Sequence, residues 1–276
     1  MKKTKHKNFI IVFLIGVFLI FFCLWQNNDI VVSDYIYKSK KISRYLDGFK
    51  IVQISDLHNK KFGKNQKNLL KILENEAPNI IVITGDIVDS NHTNIEIALE
   101  FIRGAVEIAP VYYVTGNHEY WLNSIDSTKL MQGMEQSGVI ILDNKAISIG
   151  KESDYGFYLI GLNDNNLTDS TLKTLCSTLD SNKLQILLAH EPQNNDHYSD
   201  AEVDLVFAGH AHGGQWRLPL IGGLYAPNQG LFPQYTSGVH IEDNTTMIVS
   251  RGLGNSVIPI RIFNRPQVVV VQLQKE

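Results

Sequence analysis

The chain has 276 residues, 44% of them apolar and 19% charged, a composition that gives an ordinary globular domain room for a large core. Its formal charge is −3, and setting aside four lysines at the start leaves 21 basic against 28 acidic residues, near −7. That balance argues against a nucleic-acid surface, which needs cations to neutralise phosphates, and two cysteines, Cys23 and Cys176, do not make a disulfide framework.

The first predicted element is an unbroken apolar run from Phe9 to Trp25, preceded by Lys2, Lys3, Lys5 and Lys7. A helix rising about 1.5 Å per residue covers about 25 Å over this run, the short end of what spans a bilayer. A cleaved signal peptide is the alternative. However, Leu24-Trp25-Gln26-Asn27-Asn28 has no small-x-small pattern, and Phe22 before Cys23 is too bulky for lipoprotein processing. The expectation is a single-pass anchor in the cell membrane, with the lysines in the cytoplasm and the rest of the chain outside. Residues 1–28 then form the lysine-rich start and anchor, 29–45 a connecting segment, and 46–276 one domain, since no Pro/Gly/Ser-rich linker or repeat divides them.

Beyond residue 45, five short Ile/Val-rich runs read as buried strands, each followed at once by a polar residue able to bind metal. Phe49 to Ser55 leads into Asp56 and His58, Asn79 to Gly85 into Asp86, and Val111 to Gly116 into Asn117 and His118. Leu184 to Ala189 leads into His190, and Asp204 to Gly209 into His210 and His212. Between them Asn65 to Asn75, Asn94 to Ile108, Ser127 to Gln136 and Ser170 to Leu179 carry helical spacing, with Asp126 and Asp169 at N-cap positions. Val139 to Leu142, Ala146 to Ile149 and Tyr155 to Gly161 read as further strands, with Asp143-Asn144 as a tight turn. Thr246 to Ser250 and Gln267 to Leu273 complete the series. Alternating strands and helices predict an α/β domain, two sheets with helices outside, and a site where the C-terminal strand ends converge.

The residues at those ends suit a pair of metal ions. Asp56 and His58, two apart on extended backbone, point to one side, and Asp86 can place its carboxylate between two ions. Asn117 is a neutral oxygen donor, while His190, His210 and His212 supply nitrogen. Mixed oxygen and nitrogen donors without thiolate suit Mn, Fe or Zn. Two such ions can lower the pKa of a bridging water and hold a phosphate oxygen, which predicts in-line attack of hydroxide on phosphorus. Glycines at 85, 116 and 209 are expected to let the backbone turn sharply.

Asp56-Leu57-His58, Gly85-Asp86-Ile87-Val88-Asp89, Gly116-Asn117-His118-Glu119, His190 and Gly209-His210-Ala211-His212 resemble, in this order, the five blocks of the calcineurin-like metallophosphoesterases. The resemblance implies a four-layer α/β/β/α sandwich and two divalent metal ions. It implies that Asp56, His58, Asp86 and His212 hold the first ion, and Asp86, Asn117, His190 and His210 the second. It further implies that His118 faces the substrate and that Asp89 orients His118. An imidazolium at 118 would protonate the departing oxygen or neutralise charge on the phosphoryl group.

The stretch from His212 to Pro219, with Gly230-Leu231-Phe232-Pro233 and Gly254-Asn255-Ser256, resembles the bacterial membrane-anchored branch of that family. This implies a phosphorylated small-molecule or lipid-linked substrate of the cell envelope, such as the diphosphate of UDP-2,3-diacylglucosamine. Ser90 stands where protein serine/threonine phosphatases carry a phosphate-binding arginine, which disfavours phosphoproteins. A nucleotide-directed phosphodiesterase shares the metal site and differs only in the pocket. A metal-free scaffold would have lost ligands, and none is lost. Glu119 and Glu191, which follow ligand positions, read as acids or bases and equally well as structural groups, and His6, His92, His197 and His240 read as surface residues. Trp216, Leu218, Leu220, Leu231 and Phe232 read either as an apolar lip or as a hairpin packed on the sheet.

Overall fold

The computed structural model of the protein describes residues 2–150, 155–163, 169–255 and 259–276; the side chain of His6 and the whole of Ser256 lie outside the described residues. The chain opens with helix α1 (Lys2–Asn28), followed by β1 (Val31–Ser39), β2 (Lys50–Ile54), α2 (Lys67–Glu76), β3 (Ile80–Thr84), α3 (Ile95–Val106) and β4 (Val111–Val114). Then come α4 (Asn117–Tyr120), α5 (Ser124–Gln136), β5 (Ile140–Ile141), β6 (Lys145–Ile149), β7 (Phe157–Gly161), α6 (Asp169–Ser177), β8 (Gln185–Leu188), α7 (Asn195–Asp200) and β9 (Leu205–Ala208). Two short hairpins, β10 (Arg217–Leu218) with β11 (Gly222–Gly223) and β12 (Tyr225–Ala226) with β13 (Gly230–Leu231), precede β14 (Gly238–Glu242), β15 (Thr245–Val249) and β16 (Gln267–Lys275).

The other strands form two six-stranded sheets, ordered β1-β16-β2-β3-β4-β5 and β14-β15-β9-β8-β7-β6. Strand residues alternate between faces, so β2 sends Ile51 to the space between the sheets and Val52 and Ile54 outward under α2, α3 and α5. On the second sheet Ile186 and Phe207 face inward, whereas Leu187 and Val206 meet Leu172 of α6 and Tyr198 of α7. Three apolar layers therefore separate helices, sheet, sheet and helices, the α/β/β/α order implied by the resemblance. Because each central strand is covered on both faces, its sequence is a continuous apolar run.

Three details differ from the sequence expectations. The segment 29–45, expected as a connection, contains β1, which pairs in parallel with β16 from Val31 against Gln267 to Ser39 against Lys275. Tyr35 and Tyr37 pack against the inter-sheet core, and Ile42 is buried in it, so the folded unit begins well before residue 46. The turn at Asp143-Asn144, closed by Lys145 N–H donating to Leu142 O at 2.9 Å, carries the chain from β5 in one sheet to β6 in the other. The cap of α5 is Asn123, whose side chain accepts from Ile125 N and Asp126 N; Asp126 lies inside the first turn.

Candidate metal centre

The carboxyl ends of β2, β3 and β4 in one sheet and of β8 and β9 in the other meet at one edge of the sandwich. The loops there are laced together: Asp56 N donates to Gly85 O, His58 N to Asp86 O, and Gly209 N to His190 O. Five of the candidate ligands leave their strands in the left-handed region, namely Asp56 (φ 51°), His58 (46°), Asp86 (53°), His210 (63°) and His212 (48°). Asp and His tolerate that region better than most residues, and strained backbone of this kind gathers at functional sites. Of the three glycines expected to turn the chain, only Gly85 has a positive φ, at 81°. The other two are needed for close approach, since a Cβ at Gly116 would strike Asp86 and His190, and one at Gly209 would strike Ser55 and Asp56.

All seven candidate ligands come together. Around one point, His58 Nε2 lies 3.1 Å from His212 Nε2, 3.5 Å from Asp86 Oδ2 and 4.0 Å from Asp56 Oδ1, and His212 Nε2 lies 3.6 Å from Asp56 Oδ1. Around a second, His190 Nε2 lies 3.0 Å from Asn117 Oδ1, 3.1 Å from His210 Nδ1 and 3.3 Å from Asp86 Oδ2. Ligand atoms bound at about 2.0–2.2 Å to one ion sit roughly 3–3.5 Å from one another, so both groups have the spacing of a coordination shell. Asp86 Oδ2 belongs to both.

Hydrogen bonding fixes one tautomer. His190 Nδ1 is 2.7 Å from Thr84 O, a carbonyl that can only accept, so the proton sits on Nδ1 and the Nε2 lone pair faces the carboxylate, the amide oxygen and His210. Lone pairs facing lone pairs require a cation between them, and this donor set fits divalent metal. The electrostatics agree. Burial brings His58 down to about 4 and His210 to about 3, and holds His212 well below the usual histidine range, leaving neutral rings with free lone pairs. Burial opposes ionisation of both Asp86 and His190, but their pairing outweighs it, holding the carboxyl well below its ordinary range and His190 well above its own, so that without a metal a proton takes the place on Nε2 that the ion would fill. Asp56, dominated by burial and with Asp86 nearby, is pushed up to about 6.

Glu119 is structural. Its carboxylate accepts from the backbone N–H groups of Asp86, Ile87, Val88 and Gly116, tying the loop after β3 to the start of α4. Burial first, then the charge of Asp86, push it up to about 7 against those four donors. His118 is buried, with one nitrogen within 4.8 Å of ligand atoms of His58 and Asp86. Its expected partner Asp89 stands 3.6 Å from Nδ1, outside hydrogen-bond range, and accepts instead from Asn91 N. The bond to Nδ1 comes from Ser90, whose backbone N–H donates at 3.1 Å and whose Oγ lies at 3.1 Å. That leaves the proton of a neutral ring on Nε2. Of the remaining histidines, His92 is exposed and His197 and His240 are half-buried, all outside the cluster.

Three contributors carry no signal in the sequence as lone polar residues. Asn228, in the turn between β12 and β13, places Nδ2 3.4 Å from His210 Nε2 and 3.4 Å from Glu191 Oε1. Asn264, fully buried, donates to His212 O at 2.7 Å and Gln215 O at 2.9 Å, fixing the turn that presents His212. Asn264 N in turn donates to Gln26 Oε1 at the end of α1, at 3.2 Å.

A family model described as calcineurin-like phosphoesterase matches residues 49–214. An uncharacterized metallophosphoesterase of Bacillus subtilis, YkuE, is 28% identical over 89% of this chain and 86% of its own length. The phosphodiesterase YaeI of Escherichia coli is 27% identical over 82% of each chain. A zebrafish protein described as a transmembrane protein with metallophosphoesterase domain is 25% identical over 86% of this chain and 55% of its own.

Proposed function

Since the chain belongs to the calcineurin-like phosphoesterase family and is a metallophosphoesterase, we propose that it hydrolyses phosphoester or diphosphate bonds at the centre built around Asp86. Asp56, His58, Asp86 and His212 hold one divalent ion in this reading, and Asp86, Asn117, His190 and His210 the other. The observation that supports it best is the single oxygen, Asp86 Oδ2, that stands 3.5 Å from His58 Nε2 and 3.3 Å from His190 Nε2. Two divalent cations bound there supply an activated water at neutral pH and polarise the phosphoryl oxygens.

The protein's own groups do the rest. Asp86 stays ionised and divides its charge between the two sets of donors. His118, with Nδ1 engaged by Ser90, offers an Nε2–H to a phosphoryl or leaving-group oxygen. Glu119 keeps the loops bearing Asp86 and Asn117 in register. We read α1 as the anchor: its stretch Asn8–Asn28 is long and apolar enough to cross a membrane, with the leading lysines on the cytoplasmic side and the domain outside. A substrate of the cell envelope, small or lipid-linked, follows from that placement. Diester cleavage, as in the name of the Escherichia coli relative, is the second reading.

A panel of phosphomonoesters, diesters and diphosphates, soluble and lipid-linked, assayed with the full chain loaded separately with Mn and Zn, tests this. Metal-dependent phosphate or phosphoester release is expected for at least one class. Metal-loaded protein inert on every class would overturn it.

A further inference from the structure

The segment from Trp216 to Ile241, which carries both short hairpins, holds no Asp or Glu in a chain with 28 acidic residues. Its large apolar side chains are turned outward: Leu220 is fully exposed, Leu231 is 73% and Phe232 66% exposed, and Leu218 and Ile221 are exposed as well. A hairpin packed on the sheet would bury these groups, so that reading of the sequence does not hold. Exposed apolar patches on this scale mark contact surfaces.

The patch is continuous with α1. Phe22 of α1 packs edge-on against Phe263, with ring centres 5.5 Å apart. The neighbouring Ile262 bridges to Trp216 and accepts from Arg217 N, at the root of the first hairpin. Leu224 N donates to Trp216 O, and Phe232 N to Leu224 O, which ties the second hairpin to the first. The junction is also held in orientation. Asn27 Oδ1 accepts from Arg261 N at 3.0 Å and Asn255 Nδ2 at 3.1 Å, Gln26 is buried against Asn264, and Arg265 stacks on Trp25. The end of a membrane-crossing helix lies at the headgroup level, where Trp is favoured. A domain fixed rigidly to that end carries the hairpins to the same level.

We propose that the tip of hairpin β10–β11, at Leu220, and the Leu231–Phe232 end of hairpin β12–β13 insert into the leaflet from which α1 emerges, while the Asn228 turn stays at the metal centre, which takes phosphoesters carried on lipids. The occupant of the apolar patch is the bilayer, and the absence of carboxylates there avoids burying acidic charge in it. Asn228 links the second hairpin directly to His210, and Asn264 links the anchor junction to His212, so the centre opens beside the inserted surface. This rests on reading α1 as a membrane span and the centre as a phosphoesterase.

The test uses the full chain with Cys23→Ser and Cys176→Ala, carrying one fluorophore through Phe18→Cys, Ile125→Cys, Leu220→Cys or Phe232→Cys, in phosphatidylcholine vesicles. Lipid-borne nitroxide is expected to quench positions 18, 220 and 232 at least threefold more than 125, the exposed Ile125 on α5, with iodide giving the reverse order. Quenching at 18 while 220 and 232 behave like 125 overturns the insertion. No lipid quenching at 18 overturns the anchor and the insertion with it. In parallel, the double variant Leu220→Glu/Phe232→Glu is expected to lose at least tenfold on hexadecyl phosphate in vesicles and less than twofold on nitrophenyl phosphate. Equal changes on both overturn the lipid route. A wild-type chain inert on both substrates overturns monoester hydrolysis at this centre and leaves the phosphoesterase reading to the full panel of diesters and diphosphates, while the quenching order still decides the insertion.

Discussion

Asp86 differs from the other candidate ligands in that one of its oxygens faces both donor sets while the other accepts from His118 N at 2.8 Å. Replacing it by Asn keeps the shape and removes the charge from both sets at once. Asp86→Asn is therefore expected to lose both metals in elemental analysis, whereas Asn117→Ala, a neutral donor to one set, loses at most one. Retention of both ions by the Asn variant would place the shared oxygen elsewhere. His118 is a different case. Ser90 N–H donates to Nδ1, which leaves Nε2 as the nitrogen turned to the centre, and in the proposed role His118 donates a hydrogen bond from there. Loss of one such donor costs about 10²–10³ in kcat. His118→Ala should keep both metals and lose by similar factors on an alkyl phosphate and on nitrophenyl phosphate. A loss confined to the alkyl ester would make His118 a proton donor to the leaving group, and loss of a metal would make it a ligand.

Strand β1 decides where the domain can be cut. A chain starting at residue 30 keeps the pairing of β1 with β16 and should remain soluble and folded, with weaker metal retention because Gln26 no longer supports Asn264 and the His212 turn. A chain starting at residue 46 loses Tyr35, Tyr37 and Ile42 from the inter-sheet core and leaves β16 as an open edge. Deleting buried side chains of this size costs about 2–5 kcal/mol each, against a typical total of about 5–15 kcal/mol. Sedimentation and circular dichroism are expected to show aggregation of the shorter chain; a soluble, folded one would mean β1 is dispensable. The strands β2, β3, β4, β8 and β9 were legible because burial on both faces writes itself as an apolar run, and the residues that follow them were legible for their chemistry. β1 was not, because an edge strand with one open face reads Val-Val-Ser-Asp-Tyr-Ile-Tyr, apolar and polar mixed. Strand order was equally hidden, since nothing local tells β16 to enter between β1 and β2. Ser90, Asn228 and Asn264 escaped for a related reason: each matters through one backbone or ring atom brought near by tertiary packing.

At the scale of the whole molecule, the centre is where the two sheets are pinned to each other, with His190 from one sheet donating to Thr84 of the other at 2.7 Å. A ligand bound only by the folded state stabilises it by about 4 kcal/mol when its free concentration is about 1,000 times its Kd. Stripping the ions with a chelator should therefore lower the Tm on the order of 10 °C, since about 1 kcal/mol shifts a domain of this size by roughly 2–4 °C. An unchanged calorimetric Tm after verified metal removal would show that the apolar layers alone hold the sheets. Strand β16 sits between β1 and β2, and its Gln267 donates to Ser33 Oγ, 234 positions earlier in the chain. The first sheet thus stays split while the ribosome is still working, for roughly 10–50 s at about 5–20 residues per second. A chain held open for that long is in a threadable state, so an exported domain would pass through a translocation channel before its sheet closes.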